Sequence, residues 1–517
     1  MVPGSVAHPT IAGAASWTQF HGDAALTGTT TTGAPGGTTL YSVDLTRDLG
    51  AGVADPLGND FPYQASPVTD GTSVYVALNN AVVSVSAASG SFEWLRGMPG
   101  GSGNGPVVGT PLLDNGMLYL DQDGGPNELA ALYPGNGTIA WTLTSPSGGN
   151  PSASSVVEEG GMLVLADTSG GFFWHPPSST GLWGAPAVPG VAEYFATPSF
   201  TVVNGQGAAW VLPDRGNRSL DAWSLSGVPL PGFPVATGQS LDRLFSSAAL
   251  VNLTAPSGAV STWAIFGGEG GTGAASHLYA VDVSLPQGVL ALTVPALGSG
   301  DAGVRSTPAV VASGATASIY FGSRAGTVSS VELDPFAATP RAQWTWVWNA
   351  STGGPVEASP VVVGGEVIAP SEDGNVYGLA LGTGVQLWRV GTGAPIYASP
   401  ALAGGVAWVV NANGLLTAIG GVGPSSPPGG SPGPSPTSDN SLASMAPWLI
   451  AAVAVAALAL FLIVGYVRRR RRPHVGASAS SGSPSPAMPP APPPPPPPPP
   501  PAQRATTKVA AAWTGGR

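Results

Sequence analysis

Between Ser359 and Trp388 the chain alternates short apolar runs with glycine turns. A run after Ser359-Pro360 stops at Gly364-Gly365, and a second stops at Asp373-Gly374, a dipeptide suited to a tight hairpin. A third run, Val376 to Leu381, stops at Thr383-Gly384, and a fourth carries Trp388. Apolar runs this short, bounded by turn residues, predict four strands in antiparallel succession. One such sheet cannot hide both faces, so it needs neighbours of its own kind.

The sequence supplies them as internal repeats. The opening dipeptide or a close cousin returns at Ser66-Pro67, Thr110-Pro111, Ser154-Ser155, Thr197-Pro198, Ser246-Ser247, Thr307-Pro308, Ser359-Pro360 and Ser399-Pro400, in steps of 44, 44, 43, 49, 61, 52 and 40 residues. The fourth-strand tryptophan recurs in Ser89-Gly90-Ser91-Phe92-Glu93-Trp94 and in Asn136-Gly137-Thr138-Ile139-Ala140-Trp141. A period of about 40–50 residues with four strands per unit predicts an all-β fold, a β-propeller with one blade per repeat. Eight copies predict eight four-stranded blades, with seven left open by the degenerate middle copies. The last repeat, Ser399 to Ile419, has room for three strands only, and Thr39–Leu45 alternates as a strand near the start. That segment is expected to supply the missing outer strand and close the ring, leaving no open edge.

At these residues the chain resembles the pyrroloquinoline-quinone-type propeller repeat family. Val376-Tyr377, Thr383-Gly384 and Trp388 follow its blade pattern, while Ala380, Ser86 and Tyr133 stand where that family usually has aspartate, which Asp282 retains. The segment from Trp17 to Gly28 looks like the one that introduces such propellers. The resemblance covers residues 17–421 and speaks for fold rather than activity. Its enzymatic members hold a quinone above the ring centre with a calcium site of Glu, Asn and Asp side chains, a catalytic aspartate, a tryptophan floor and a vicinal cysteine pair. This chain has no cysteine, and no Glu/Asn/Asp set here matches residue by residue. The resemblance therefore implies a non-catalytic member with no cofactor. Its non-catalytic members, such as the scaffold lipoprotein of the outer-membrane β-barrel assembly machinery, use the propeller as a rigid binding surface.

Charge separates the chain into two parts. All 28 acidic residues lie at or before Asp439 with nine arginines, a net −19; beyond it come eight basic residues and no acidic one. An acidic propeller argues against nucleic acid as a partner. Residues 1–16 read as a disordered terminus or, from Ala12-Gly13-Ala14, a signal remnant. Residues 422–447 form a Gly/Ser/Pro linker. Trp448 to Val467 then runs twenty residues without a charge, about 30 Å as a helix and long enough to span a bilayer. Trp448 and Tyr466 sit where interfacial aromatics belong, and Arg468, Arg469, Arg470, Arg471 and Arg472 follow at the cytoplasmic end. The expected arrangement is a single-pass protein of the cell membrane, propeller outside. The tail of residues 468–517, with ten consecutive prolines at 492–501, is a disordered, stiff spacer or a ligand for a cytoplasmic aromatic-grooved partner.

Candidate chemistry is sparse. The five histidines have no ligand-like spacing, and no nucleophile elbow or P-loop occurs. Asp121 and Asp123 place oxygens at alternate positions before a glycine pair, a weak metal signal better read as turn chemistry. Trp344, Trp346 and Trp348 alternate along one strand, so a period of two puts three indoles on one face, either packed between blades or exposed as a stacking platform for a ligand. Asn136, Asn217, Asn252 and Asn349 begin glycosylation sequons. The expected function is a membrane-anchored binding or scaffold module for a protein, peptide or glycan. The alternatives are a surface sensor acting through the tail and a quinone-dependent dehydrogenase.

Overall fold

The protein is described by a computed structural model at residues 16–31, 33–46, 65–78, 81–98, 109–121, 129–143, 154–159, 161–166, 172–175, 177, 193–203, 207–239, 241–270, 274–285, 289–294, 302–339 and 343–421. The linker, the apolar stretch 448–467, the proline-rich tail and residues 1–15 lie outside them, as do Asp123, Trp448, Tyr466 and Arg468 to Arg472. Among the described residues no helix is long and apolar enough to cross a membrane.

Every described element is a strand, and each sheet is built on an antiparallel meander, to one of which Thr29–Thr30 adds a parallel fifth strand beside Val361–Val363. Seven sheets are four-stranded blades, at residues 68–97, 112–143, 199–236, 249–294, 309–351, 361–391 and 401–420, the last completed by Thr38–Asp44. One further sheet, at 157–175, has three described strands and takes the place between the second and fourth. Numbering the sheets 1 to 8 in this chain order, first strands of neighbours lie side by side, which makes them the inner strands of a ring. The apolar core is accordingly divided into wedges between adjacent sheets. Trp408 and Val76 share the wedge between blades 8 and 1, and Ala249 and Ile319 the one between blades 5 and 6.

A belt of hydroxyls closes the ring around its axis. The backbone N–H of Ser66 donates to Thr110 Oγ1 (3.0 Å), Thr110 to Ser155 Oγ (2.9 Å), Ser155 to Thr197 Oγ1 (3.0 Å) and Thr197 to Ser247 Oγ (2.8 Å). The series continues from Ser247 to Thr307 Oγ1 (3.2 Å), Thr307 to Ser359 Oγ (2.9 Å), Ser359 to Ser399 Oγ (2.9 Å) and Ser399 back to Ser66 Oγ (3.0 Å). This corrects the repeat register: in the third and fifth sheets the belt residue is Ser155 and Ser247, one place after the serine that opens each pair. A short hydroxyl and its own N–H let each inner strand both accept and donate sideways, which explains the Ser/Thr at every repeat. Each bond contributes about 1 kcal/mol net.

Closure at the periphery uses the N-terminal strand. Thr38–Asp44 pairs antiparallel with Leu415–Gly420, Tyr41 facing Ala418. The Tyr41 hydroxyl donates to Ala87 O of blade 1 (2.8 Å) and accepts from Trp408 Nε1 (2.8 Å). In two other seams a tryptophan does this work. Trp94 donates Nε1 to Pro134 O of the next blade (2.6 Å), and Trp348 donates to Leu381 O (2.9 Å). Beneath Trp348 the turn must be Gly384: its φ is +68° and an added Cβ would lie 2.5 Å from the indole.

The three-indole face does not form. The outer strand Trp344–Ser351 is bulged, with Ser330 opposite Trp348 but Val331 opposite Trp346, so Val347 is an extra residue. The bulge reverses the alternation. Trp344 and Trp346 pack on the wedge between blades 5 and 6, while Trp348, 8% exposed, enters the wedge between blades 6 and 7. The same bulge precedes Trp94, Trp141, Tyr41 and Trp388.

Candidate functional site at the axial mouth

The axis is closed at one end by the chain's own start. Residues 17–28 run round the inside of the ring and bond to the inner strands in turn. Trp17 pairs with Thr69 of blade 1, and Thr18 O accepts from Leu113 of blade 2. Ala24, Ala25, Thr27 and Gly28 carbonyls accept from Phe200, Leu250, Val310 and Val362 of blades 4 to 7. Each partner lies three residues beyond its belt residue, so the segment sits as a plug on one side of the belt. His21 anchors it, with Nδ1 2.7 Å from Leu26 O and Nε2 3.0 Å from Pro360 O. Burial holds the His21 pKa below its ordinary value, despite the two carbonyls and Asp23.

The other end is a mouth lined by two arcs. Two residues before the belt, blades 4 to 8 present Phe195, Phe245, Arg305, Glu357 and Tyr397, each half-buried between buried neighbours. Behind them, the turns between second and third strands present Arg215, Glu269, Arg324, Glu372 and Ala412. One backbone bond fixes this second arc in blades 4 to 8: the N–H of Arg215, Glu269, Arg324, Glu372 and Ala412 donates to the carbonyl of Glu193, Arg243, Gly303, Pro355 and Pro395 respectively.

The arcs interlock with a one-blade offset. Arg215 of blade 4 lies over Phe195 (4.6 Å to the ring centroid) and over Phe245 of blade 5 (5.1 Å), and Arg305 covers Phe245 at 4.6 Å. Glu269 of blade 5 grips Arg305 of blade 6 through two oxygens, at 2.5 and 3.1 Å. Arg324 of blade 6 binds Glu357 of blade 7, which also meets Arg305 at 3.3 Å. Arg215 is steadied by Glu193 at 2.7 Å, and Asp214 holds the Glu193 N–H at 3.0 Å. Glu372 of blade 7 falls opposite Tyr397 of blade 8. Burial raises the Glu372 pKa, with Glu357 adding to it, and burial beside Glu372 and Glu357 raises that of Tyr397.

Two buried carboxyl sites stand behind this mouth. Asp221 accepts from the hydroxyls of Tyr194 and Ser219, both at 2.9 Å, and burial with Asp214 nearby pushes its pKa up to about 7. Asp242 accepts from His277 Nδ1 at 2.9 Å and from the Tyr279 hydroxyl. Asp121 is buried at the end of its strand. Among the described residues no group of three or more His, Cys, Asp or Glu could hold a metal ion. The mouth was illegible as a site in the sequence because its members lie one per blade, 40 to 60 residues apart. Their offset from the belt residue is the signal that finds them.

A family model described as outer membrane protein assembly factor BamB matches residues 28–181 and 337–421. Phe195, Arg215, Phe245, Glu269, Arg305 and Arg324 fall outside that match, whereas Glu357, Glu372 and Tyr397 fall inside it. A quinohemoprotein alcohol dehydrogenase from Comamonas testosteroni has a similar structure, with TM-score 0.59 and 12% identity over 82% of this chain and 83% of that one. A europium-containing methanol dehydrogenase gives 0.55 and 12% over 77% and 88%. Sqt1 of Saccharomyces cerevisiae gives 0.54 and 13% over 74% and 98%. No curated protein matches the chain.

Proposed function

We propose that this chain, which matches a BamB family model over residues 28–181 and 337–421, is a PQQ-like β-propeller serving as a binding or scaffold module whose ligand, a protein, peptide or glycan segment, enters the axial mouth. One observation carries this reading: residues 17–28 bond to the inner strands on one side of the belt, while a braced arc of half-buried aromatic and charged side chains stands on the other. Rigid scaffolds that hold partly exposed charged and ring side chains together suit binding. The apolar stretch 448–467 would hold the propeller at the outer face of the cell membrane, and the proline-rich tail would meet a cytoplasmic partner.

The quinone-dependent alternative fits these residues poorly. Glu269 and Glu357 pair with Arg305 and Arg324 rather than converging on a cation, and the sequence has no cysteine. No step through a quinone follows from such a site.

A photo-crosslinking residue at Tyr397, at the mouth, and another at Val202, at the opposite end of an inner strand, test the binding reading in the full chain in its own membrane. Adducts of discrete mass are expected from position 397. Adducts from position 202 alone overturn the reading. Dye reduction by the full chain after addition of pyrroloquinoline quinone and calcium would establish the alternative.

A further inference from the structure

The one-blade offset at the mouth is a pattern of complementary pairs, and one pair is incomplete. The arginine of blade 4 meets a phenyl ring, the carboxylate of blade 5 meets Arg305, and the arginine of blade 6 meets Glu357. By the same register Glu372 of blade 7 should meet a cation at the inner position of blade 8, and that position is Tyr397. The backbone bonds that define the register are present on both sides, Glu372 N–H to Pro355 O and Ala412 N–H to Pro395 O, both near 2.9 Å. The backbone register is therefore intact, and the cations that act on Glu372, Arg324 and Arg305, do so through space while their guanidinium groups bond Glu357 and Glu269. Glu372 Oε1 is buried and has no hydrogen-bond partner, although a carboxylate oxygen in such a place ordinarily has one. Arg324 of blade 6 donates to Glu357 rather than to this oxygen.

Resting on the binding reading above, we propose that the ligand completes this pair: it places a cationic nitrogen, a primary ammonium or a guanidinium, on Glu372 between Glu357 and Tyr397. The nitrogen donates to the oxygen that lacks a donor, and the Tyr397 ring borders it. The acidic surroundings favour the encounter, since the chain up to Asp439 carries net −19. The cationic group has two sources, a lysine or arginine side chain of a peptide and a free amine.

The test measures binding to the full chain in detergent by calorimetry, with acetylated tetralysine amide and putrescine as probes and acetylated tetraglutamate amide as control. Tetralysine binding with no tetraglutamate binding is expected, and putrescine binding at equal strength identifies the free amine as source. Glu372→Gln should weaken the cationic probe about tenfold or more, the scale of one charge-assisted hydrogen bond. Tyr397→Arg supplies the cation from within, copying Arg305 two positions away in the series, and should abolish probe binding while leaving the chain folded. Probe binding that survives both substitutions overturns the proposal, as does failure of both cationic probes to bind. If position 397 still crosslinks a partner in that case, the cationic assignment falls and the binding reading stands.

Discussion

Replacing Trp348 by alanine separates its two sequence-level roles, interblade wedge and ligand platform. The indole is 8% exposed, packs with Tyr320 at 5.9 Å between ring centroids, covers Gly384 and donates to Leu381 O. Removing roughly 200 Å² of buried ring at about 25 cal/mol per Å² costs about 5 kcal/mol, within the usual range for a large aromatic-to-alanine change in a core. The lost hydrogen bond adds about 1 kcal/mol. For a ring of about 400 residues with roughly 2.1 cal/mol/K of unfolding entropy each, 6 kcal/mol lowers Tm by about 7 °C. Val347 is the comparison on the same strand: it is the bulged residue and 49% exposed, so Val347→Ala should shift Tm by less than about 1 °C. Thermal melts by circular dichroism read both. A Trp348→Ala melt within 1 °C of the parent would refute the reasoning, because it would mean the seam between blades 6 and 7 does not depend on its indole.

Three further outcomes are expected. Deleting residues 16–46 removes both the plug and the outer strand of blade 8, so the ring should melt well below the parent; an unchanged melt refutes closure by this segment. Gly28→Ala should destabilise the plug by about 1–2 kcal/mol or more, since φ is +64° there and a Cβ would lie 2.3 Å from the His21 ring; limited proteolysis near residue 28 reads it. Asp221 titrates near 7 when folded because of burial and then Asp214. A carboxyl with a raised folded pKa contributes stability below its unfolded pKa and loses it as pH rises through the folded value. Stability should therefore fall between about pH 4 and 7, by at most about 4 kcal/mol, and Asp221→Asn should flatten that slope. An unchanged slope in denaturant melts argues against the assignment.

The propeller was legible because its turns are punctuated the same way in each repeat. Asp373-Gly374 and Thr383-Gly384 end strands where the sequence places them. Thr39–Leu45 was recognisable as an outer strand from the three-strand shortfall of the last repeat, and it pairs as Thr38–Asp44 with a bulge at Leu40. The bulges themselves were not legible. A period-two pattern assumes an unbroken ladder, and Val347 interrupts it without any glycine to mark the place. The third and fifth repeats were read one residue early because Ser154-Ser155 and Ser246-Ser247 each offer two hydroxyls. Only the lateral bond to the next sheet distinguishes them, and that bond is not local in sequence.

The same non-locality explains why the mouth is specific where the rest of the ring is generic. Belt and wedge positions must repeat, because every seam presents the same geometry to its neighbour. The residues two before the belt face the axis, where no seam constrains them, so Phe195, Phe245, Arg305, Glu357 and Tyr397 can each differ. What constrains them is one another. Arg305 of blade 6 is held simultaneously by Phe245 and Glu269 of blade 5 and by Glu357 of blade 7. Changing Arg305 alone would leave Glu269, 9% exposed at its side chain, without its cation, and a buried carboxylate stripped of its partner is costly. An arc built this way can change identity only by coordinated substitution. Under the proposal above, Glu372 is the position at which the ligand, rather than another blade, supplies the hydrogen-bond donor.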